Sequence, residues 1–400
     1  MFGASRQKLT LASCCAAHAG QDGLTATTYV LLPVLAQSLG LGYGQVGILR
    51  AAQTTAMWLL ELPAGVLAER YGAARLLVFG LICAGLGYAT LAFATGFYGV
   101  VAALFVAGCG AAFQHSLSSS LVSHAYRGPS RRIALGTYNA SGDVGKLLFT
   151  ALFGVLAGAG MQWQGVALGY GAVVFSLGIV LFFLLRTARK SVEDIESTDQ
   201  TASTAVKTGG WGVRHRPAFI ALAAIVCTDI MVQDAFFIFI PFVMLEKEVP
   251  TSLAALAVVL TLAGGVFGKF GCGVLASKFG VVRSLILVEI LTAVGIVSIL
   301  LAPTMVAFLI LPLLGVVLQG SSSITYGAVS ELVSEERQSR GFAAIYTISN
   351  AASVAGAVGF GLVSDLFGLK TSLSIMALVV LLPIAFSVKL RQGYLSQQQA

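Results

Sequence analysis

Long apolar runs alternate with short polar breaks along this chain. The runs cover about 9–37, 45–68, 74–94, 97–122, 133–158 and 164–186. After a polar stretch they resume at about 217–244, 251–276, 282–302, 303–329, 339–364 and 370–390. Each is near or above the roughly 20 residues a helix needs to cross the apolar core of a bilayer. Only Pro303 separates the ninth run from the tenth. The pattern predicts an all-α membrane protein with twelve transmembrane helices. The polar stretch 187–216 holds Glu193, Asp194, Glu196 and Asp199 among several Ser and Thr, and reads as a flexible linker. The expected organisation is a six-helix bundle over 1–186, the linker 187–216 and a second six-helix bundle over 217–400.

Composition narrows the function classes. The chain is 57% hydrophobic and 10% charged, with a mean hydropathy of +0.89. A soluble domain is about 25% charged. No large soluble domain is left over, so a cytosolic enzyme and a secreted disulfide scaffold both fit poorly. All six cysteines lie in apolar segments and Cys14 adjoins Cys15, which leaves no metal-ligand spacing and no disulfide framework. The chain has no phosphate-binding Gly-Lys-Ser/Thr loop and no His-Glu-x-x-His. We therefore expect no catalytic residues, no cofactor, no metal and no ATP-driven chemistry. Leu11-Ala12-Ser13-Cys14 looks like a lipoprotein processing box, but too little chain separates it from Lys8 for an apolar signal core. The first helix is expected to stay in the mature protein.

The net charge of +7 reads as membrane topology, because the basic residues are scattered over short loops. With the N-terminus in the cytoplasm, cytoplasmic segments collect Arg6, Lys8, Arg70, Arg75, Arg127, Arg131, Arg214, Lys278, Arg283, Arg337, Arg340 and others. The opposite side receives only Lys247 and Lys370. This asymmetry predicts both termini in the cytoplasm of a multi-pass bacterial inner-membrane protein, with the lipid bilayer and no nucleic acid as partner.

The two halves repeat. Residues 65–77 read GVLAERYGAARLL and residues 273–285 read GVLASKFGVVRSL, an offset of 208. Pro33 and Pro241 share that offset, as do Tyr138 and Tyr346. A six-plus-six repeat in the same orientation predicts two pseudo-symmetric six-helix bundles.

On these features the chain resembles the major facilitator superfamily. That family's loop signature is roughly Gly-x-x-x-Asp-Arg-x-Gly followed by basic residues. Gly65, Glu69, Arg70 and Gly72 match with Glu for Asp, and Arg75 follows. In the second copy Gly273, Lys278 and Gly280 match, but Ser277 replaces the acid. The resemblance implies that Glu69, Arg70 and Lys278 act in gating. It also implies that the molecule works as a monomer, by rocking of two halves about a central site. A more local resemblance is to fosmidomycin-resistance efflux proteins. It rests on His18-x-x-x-Asp22, Phe113-Gln114-His115 and Gly142-Asp143-Val144-Gly145. The proline-containing helix 5 signature of drug antiporters is absent.

Ionisable residues at membrane depth are costly and are expected to face a bundle interior or an aqueous cavity. In the resembled fold, helices 3, 6, 9 and 12 lie outermost, and here their interiors carry no charge except Glu289. His18 and Asp22 share one face of helix 1 at i,i+4, near mid-membrane. Either carboxylate and imidazole take and release protons there, or His18 serves only to orient Asp22. Asp143 and Lys146 at i,i+3 on helix 5 are a self-neutralising pair or a pair that substrate breaks. Arg50 can snorkel to water, or meet Asp22 or an anionic substrate. Asp229 and Gln233 share a face of helix 7. Glu61 and Lys269, also 208 apart, suggest a gate contact or separate loop caps.

His115, Tyr138, Asn139, Gln319 and Tyr346 complete the candidate substrate set. The serines beside His115 and Gln319 either serve close helix packing or line a substrate path with their hydroxyls. Proton coupling is assigned to Asp22, His18, Asp143 and Asp229. The expected function is a secondary active transporter, coupling protons to export of a small amphipathic or anionic compound. Proton-driven uptake of a nutrient is the alternative within transport. A non-transporting receptor or scaffold is the alternative outside it.

Overall fold

A computed structural model describes residues 2–127, 129–189, 212–334 and 338–399. Twelve helices follow one another among them. They are α1 (Phe2–Leu39), α2 (Tyr43–Tyr71), α3 (Ala73–Leu91), α4 (Gly96–Ala125), α5 (Pro129–Gly158), α6 (Trp163–Arg189), α7 (Arg216–Glu246), α8 (Thr251–Phe279), α9 (Val281–Leu301), α10 (Thr304–Leu332), α11 (Gln338–Phe367) and α12 (Leu369–Gln392). The break at Pro303 is real. Pro303 caps α10 with φ −57° and ψ 154°, extended backbone that cannot continue α9.

Ten of the twelve are long and apolar enough to cross a membrane, by length and composition. The other two are α1 and α2. Both exceed the needed length, but each is diluted by polar groups: Ser13, His18, Gln21, Asp22, Thr27 and Thr28 in α1, and Arg50, Gln53 and Thr54 in α2. All nine are buried within the protein. Their hydropathy is low because these helices turn a polar face inward, where protein neighbours bond groups such as His18, Thr28 and Arg50 and lipid could not.

The repeat read from sequence recurs at the helix ends. Gly72 follows α2 with φ +86° and Gly280 follows α8 with φ +83°. Each lets one helix stop and the next begin almost at once, and Leu76 and Ser284 donate back to the Gly72 and Gly280 carbonyls. Gly368 does the same between α11 and α12 with φ +85°, where Ser372 donates back to its carbonyl, and Gly160, again at an offset of 208, takes φ +82° in the turn between α5 and α6. Only glycine takes this left-handed backbone at no steric cost.

The fold divides into two compact units. One comprises Met1–Thr27, Thr55–Phe149 and Met161–Gly209, and the other Thr28–Thr54, Thr150–Gly160 and Gly210–Ala400. In the first, α3 packs against α4 and α6 through small residues. A side chain on Gly85 would meet the backbone of Gly171 and Phe175. In the second, α8 and α10 pack most closely, and α9 leans on α10.

The second unit also holds the ends of α1, α2 and α5 that it shares with the later helices. There the Asp365 carboxylate of α11 accepts the backbone N–H groups of Tyr43 (2.7 Å) and Gly44 (2.8 Å) at the start of α2. Tyr43 packs edge-on against Phe242. A Cβ on Gly361 would come 2.6 Å from the Tyr43 carbonyl oxygen. Most of the predicted linker, 190–211, lies outside the described residues. Its last part pairs with the chain after α10, where Arg214 N–H donates to the Leu332 carbonyl at 2.9 Å.

Candidate functional site

The first unit gathers ionisable groups from three helices around one carboxylate. Asp22 on α1 is 5% exposed. Its Oδ2 lies 3.0 Å from Lys146 Nζ of α5 and 3.3 Å from His18 Nε2 one turn back on α1. Its Oδ1 lies 3.6 Å from His115 Nε2 of α4. Asp143 completes the set, with Oδ1 3.5 Å from Lys146 Nζ. The expected i,i+3 pair therefore exists, but its lysine also serves Asp22, at the shorter distance.

The local sequence explains the convergence. At Gly142 a Cβ would stand 2.5 Å from His18 Nε2 and 2.9 Å from Asp22 Oδ2, and at Gly145 it would strike the Ala19 backbone. The two glycines let α5 lie against α1, and Lys146, one turn beyond Gly142, then reaches Asp22. His115 arrives by another device. The helix α4 is interrupted by a turn at 112–114 and restarts at His115, which aims that ring at Asp22. His18 is stacked on the buried Tyr138 ring (centroids 4.3 Å, 22° between planes) and meets His115 edge-on at 5.2 Å.

The hydrogen bonds constrain where protons sit. His18 Nδ1 lies 2.8 Å from the Tyr138 carbonyl oxygen. A carbonyl only accepts, so Nδ1 carries the hydrogen. Nε2 is then the nitrogen that faces Asp22 Oδ2, so a proton added to the pair would lie between ring and carboxyl. Lys146 and His115 are less enclosed than Asp22, with side chains 29% and 47% exposed. The cluster is thus a buried acid with two basic groups standing between it and open space.

His18, Asp22 and His115 also form a donor set whose atoms lie within 4.8 Å of one another. The Lys146 ammonium already holds the carboxylate, so a metal cation entering there would meet a positive charge. The donor set fits a metal poorly.

The other candidates fall elsewhere. Asn139 is exposed and Tyr138 is 1% exposed beneath His18. Tyr346 is 44% exposed and sits beside Tyr326, with ring centroids 5.4 Å apart. Gln319 is buried over Gly265 and donates to the Thr261 carbonyl at 3.3 Å. Gln233 is half-buried. Asp229 is buried and accepts from Ser321 Oγ at 2.7 Å. Arg50, in the second unit, donates to Gln53 Oε1 (2.8 Å) and to the Tyr29 hydroxyl (2.9 Å), and Tyr29 donates in turn to Asp234 Oδ1 at 3.3 Å. Glu61 and Lys269 are half-buried, one in each unit. Glu69, Arg70 and Lys278 are exposed, with Arg70 over the Tyr71 ring.

Sequence reading missed Asp365 and Tyr29. The one signal for Asp365 was the glycine-flanked start of α2, Gly42-Tyr43-Gly44, where backbone donors lie open to an acid from another helix.

Comparison with known proteins shows the family. The chain is 27% identical over 379 residues to an uncharacterised MFS-type transporter, YfnC, of Bacillus subtilis, covering 92% of this chain and 90% of that protein. It is 24% identical over 403 residues to a probable 4-methylmuconolactone transporter of Cupriavidus pinatubonensis, covering 97% and 91%. Neither is described as a fosmidomycin-resistance protein, so that likeness stays confined to three short motifs. The fold matches crystal structures of a bacterial homologue of the human lysosomal transporter Spinster. The inward-facing unoccupied form gives a TM-score of 0.82 at 16% identity, covering 98% of each chain. The inward-facing occupied form gives 0.83 at 16% identity, covering 96% and 97%. The sequence profile of the Major Facilitator Superfamily matches residues 14–357 and 222–392. The chain belongs to the major facilitator superfamily, and is a multi-pass membrane transporter of the kind that works by alternating access.

Proposed function

We propose that this protein couples protons to the movement of a small organic anion, with the His18–Asp22 pair holding the proton and Lys146 and His115 receiving the substrate. One observation carries the reading: the buried Asp22 carboxylate is held by two basic groups that are themselves partly exposed. A proton arriving at Asp22 cancels its charge and releases Lys146 and His115. An anion can then take its place. Proton and anion therefore favour each other's binding, a coupling that acts equally in both directions. Asp143 keeps Lys146 oriented meanwhile. Tyr138 fixes the His18 ring from below and so acts as a positioning residue.

Co-binding favours symport, which under an inward proton gradient is uptake into the bacterial cell. The charge asymmetry of the loops supports cytoplasmic termini and an inner-membrane location. Export, the direction expected from the short motifs, needs proton and substrate to compete for one group. A cationic or amphipathic substrate competing at Asp22 would do that; an anion at Lys146 would not. The relative named for a lactone supports a small organic substrate.

The test is flux in proteoliposomes with an imposed pH gradient, using a panel of radiolabelled aromatic and lactone carboxylates and a pH dye in the lumen. The expected result is carboxylate accumulation that runs with proton flow and is lost in Asp22→Asn, which retains carboxylate exchange. Substrate moving against proton flow would establish export. Gradient-driven accumulation unchanged in Asp22→Asn would remove Asp22 from the coupling.

A further inference from the structure

The second unit contains a buried acid with a different environment. Glu289 lies in mid-α9 and is 0% exposed. Both of its carboxyl oxygens are enclosed and have no hydrogen-bond partner among the described residues. Leu285, Val288, Ile225, Val226 and Ile324 belong to the apolar core of this region. The helices packed against α9 are α8, α10 and α12. Their charged residues include Lys269, Lys278, Glu331, Lys370, Lys389 and Arg391, and among the described residues none pairs with Glu289. The charged group that acts on it is another acid, Asp229 of α7. Asp229 is itself 2% exposed and is held by the Ser321 hydroxyl.

An ionised carboxylate with neither donor nor cation is strongly disfavoured in apolar surroundings, and a second carboxylate nearby adds repulsion. Asp22 escapes that cost through Lys146 and two imidazoles. Among the described residues Glu289 has no such group, which leaves a proton to neutralise it. We propose that Glu289, with Asp229 and Ser321, forms a second proton-binding site of this transporter, and that Glu289 carries its proton in the conformation described here. The site places an ionisable group in the interior of α9, whereas the interiors of α3, α6 and α12 carry no charge. That placement suits binding of a proton better than contact with a substrate. The inference rests on the proton-coupled reading above for its role in transport, but the presence of the proton is independent of it.

Infrared spectroscopy of the purified full-length protein in lipid nanodiscs tests this directly. Wild type is expected to show the carbonyl stretch of a protonated, unbonded carboxyl at neutral pH. The band should vanish in Glu289→Gln and shift in Asp229→Asn. Glu289→Gln replaces a neutral acid by an isosteric amide, so its thermal unfolding should stay close to wild type, and Glu289→Met serves as a second variant. An alkaline pulse read by a pH dye should show one proton fewer released per molecule in Glu289→Gln. A band absent from wild type, a band unchanged in both Glu289 variants, or equal proton release would overturn the proposal. Loss of coupling in Glu289→Gln with none in Asp22→Asn would overturn the first site while leaving this one standing.

Discussion

The Lys146 ammonium lies closer to Asp22 than to Asp143, its neighbour one turn away on the same helix: 3.0 Å against 3.5 Å. A lysine that could have been consumed by its own helix instead bridges α5 and α1. The bridge makes the charge of Asp22 depend on the packing of two helices, which is what a transporter needs if proton binding is to move them.

The bridge predicts strong coupling between these two residues. Lys146→Met leaves Asp22 buried without its ammonium, and should abolish coupled flux and lower the unfolding temperature. Lys146→Met combined with Asp22→Asn removes both charges and should recover much of the lost stability. A double-mutant cycle by thermal unfolding should give a coupling energy of about 1–3 kcal/mol. Additive losses would show that the pair does not interact.

Two glycines set the approach of α5 to α1, and a third on the same helix provides the control. Gly145→Ala forces a methyl group into the Ala19 backbone, and Gly142→Ala pushes His18 away from Asp22. Each should cost about 1–3 kcal/mol, the usual range for overpacking. A methyl group on Gly136 would meet nothing within 4 Å, so Gly136→Ala should be neutral or stabilise by about 0.5–1 kcal/mol through helix propensity. Differential scanning fluorimetry of the three variants checks the ordering.

Asp365 caps the N-terminus of α2 with two backbone hydrogen bonds. The charge also favours the positive end of the helix. Asp365→Ala should destabilise this contact by about 1–2 kcal/mol. Ala357 is fully buried, against Gly47. In a variant lacking the six native cysteines, a cysteine at Ala357 should react faster with a water-soluble maleimide once Asp365 is removed. An unchanged rate would mean that the cap does not control opening there.

Tyr29 joins Arg50 to Asp234 through one hydroxyl. Tyr29→Phe keeps the ring against Phe237 and over Arg50 but deletes both hydrogen bonds. The expected loss is about 1–3 kcal/mol of stability, since buried charged groups lose a partner. Arg50→Lys should not substitute, because the guanidinium both reaches Gln53 and stacks on Tyr29. Thermal unfolding of Tyr29→Phe and Arg50→Lys measures both effects.

Much of this molecule was determined by sequence alone, for a simple reason. Hydrophobic segment length is imposed by the bilayer, so twelve helices can be counted without knowing how they pack. The duplication is visible because the turns at Gly72 and Gly280 need the same left-handed glycine. The i,i+4 spacing of His18 and Asp22 and the i,i+3 spacing of Asp143 and Lys146 are likewise local geometry, and both hold. Tertiary structure decided which charges meet. Lys146 could pair within α5 or across to α1, and the Gly142/Gly145 contact with α1 settled it. Tyr138 and Tyr346 share a repeat position, yet Tyr138 is buried under His18 while Tyr346 is exposed beside Tyr326, and the α7 position equivalent to His18 is Val226, with no ring to stack on. Arg50 turned to Tyr29 and Gln53, and Asp365 found the α2 terminus, through contacts between helices far apart in the chain. Periodicity fixes the face on which a residue lies; the partner across that face is set by how the helices come together.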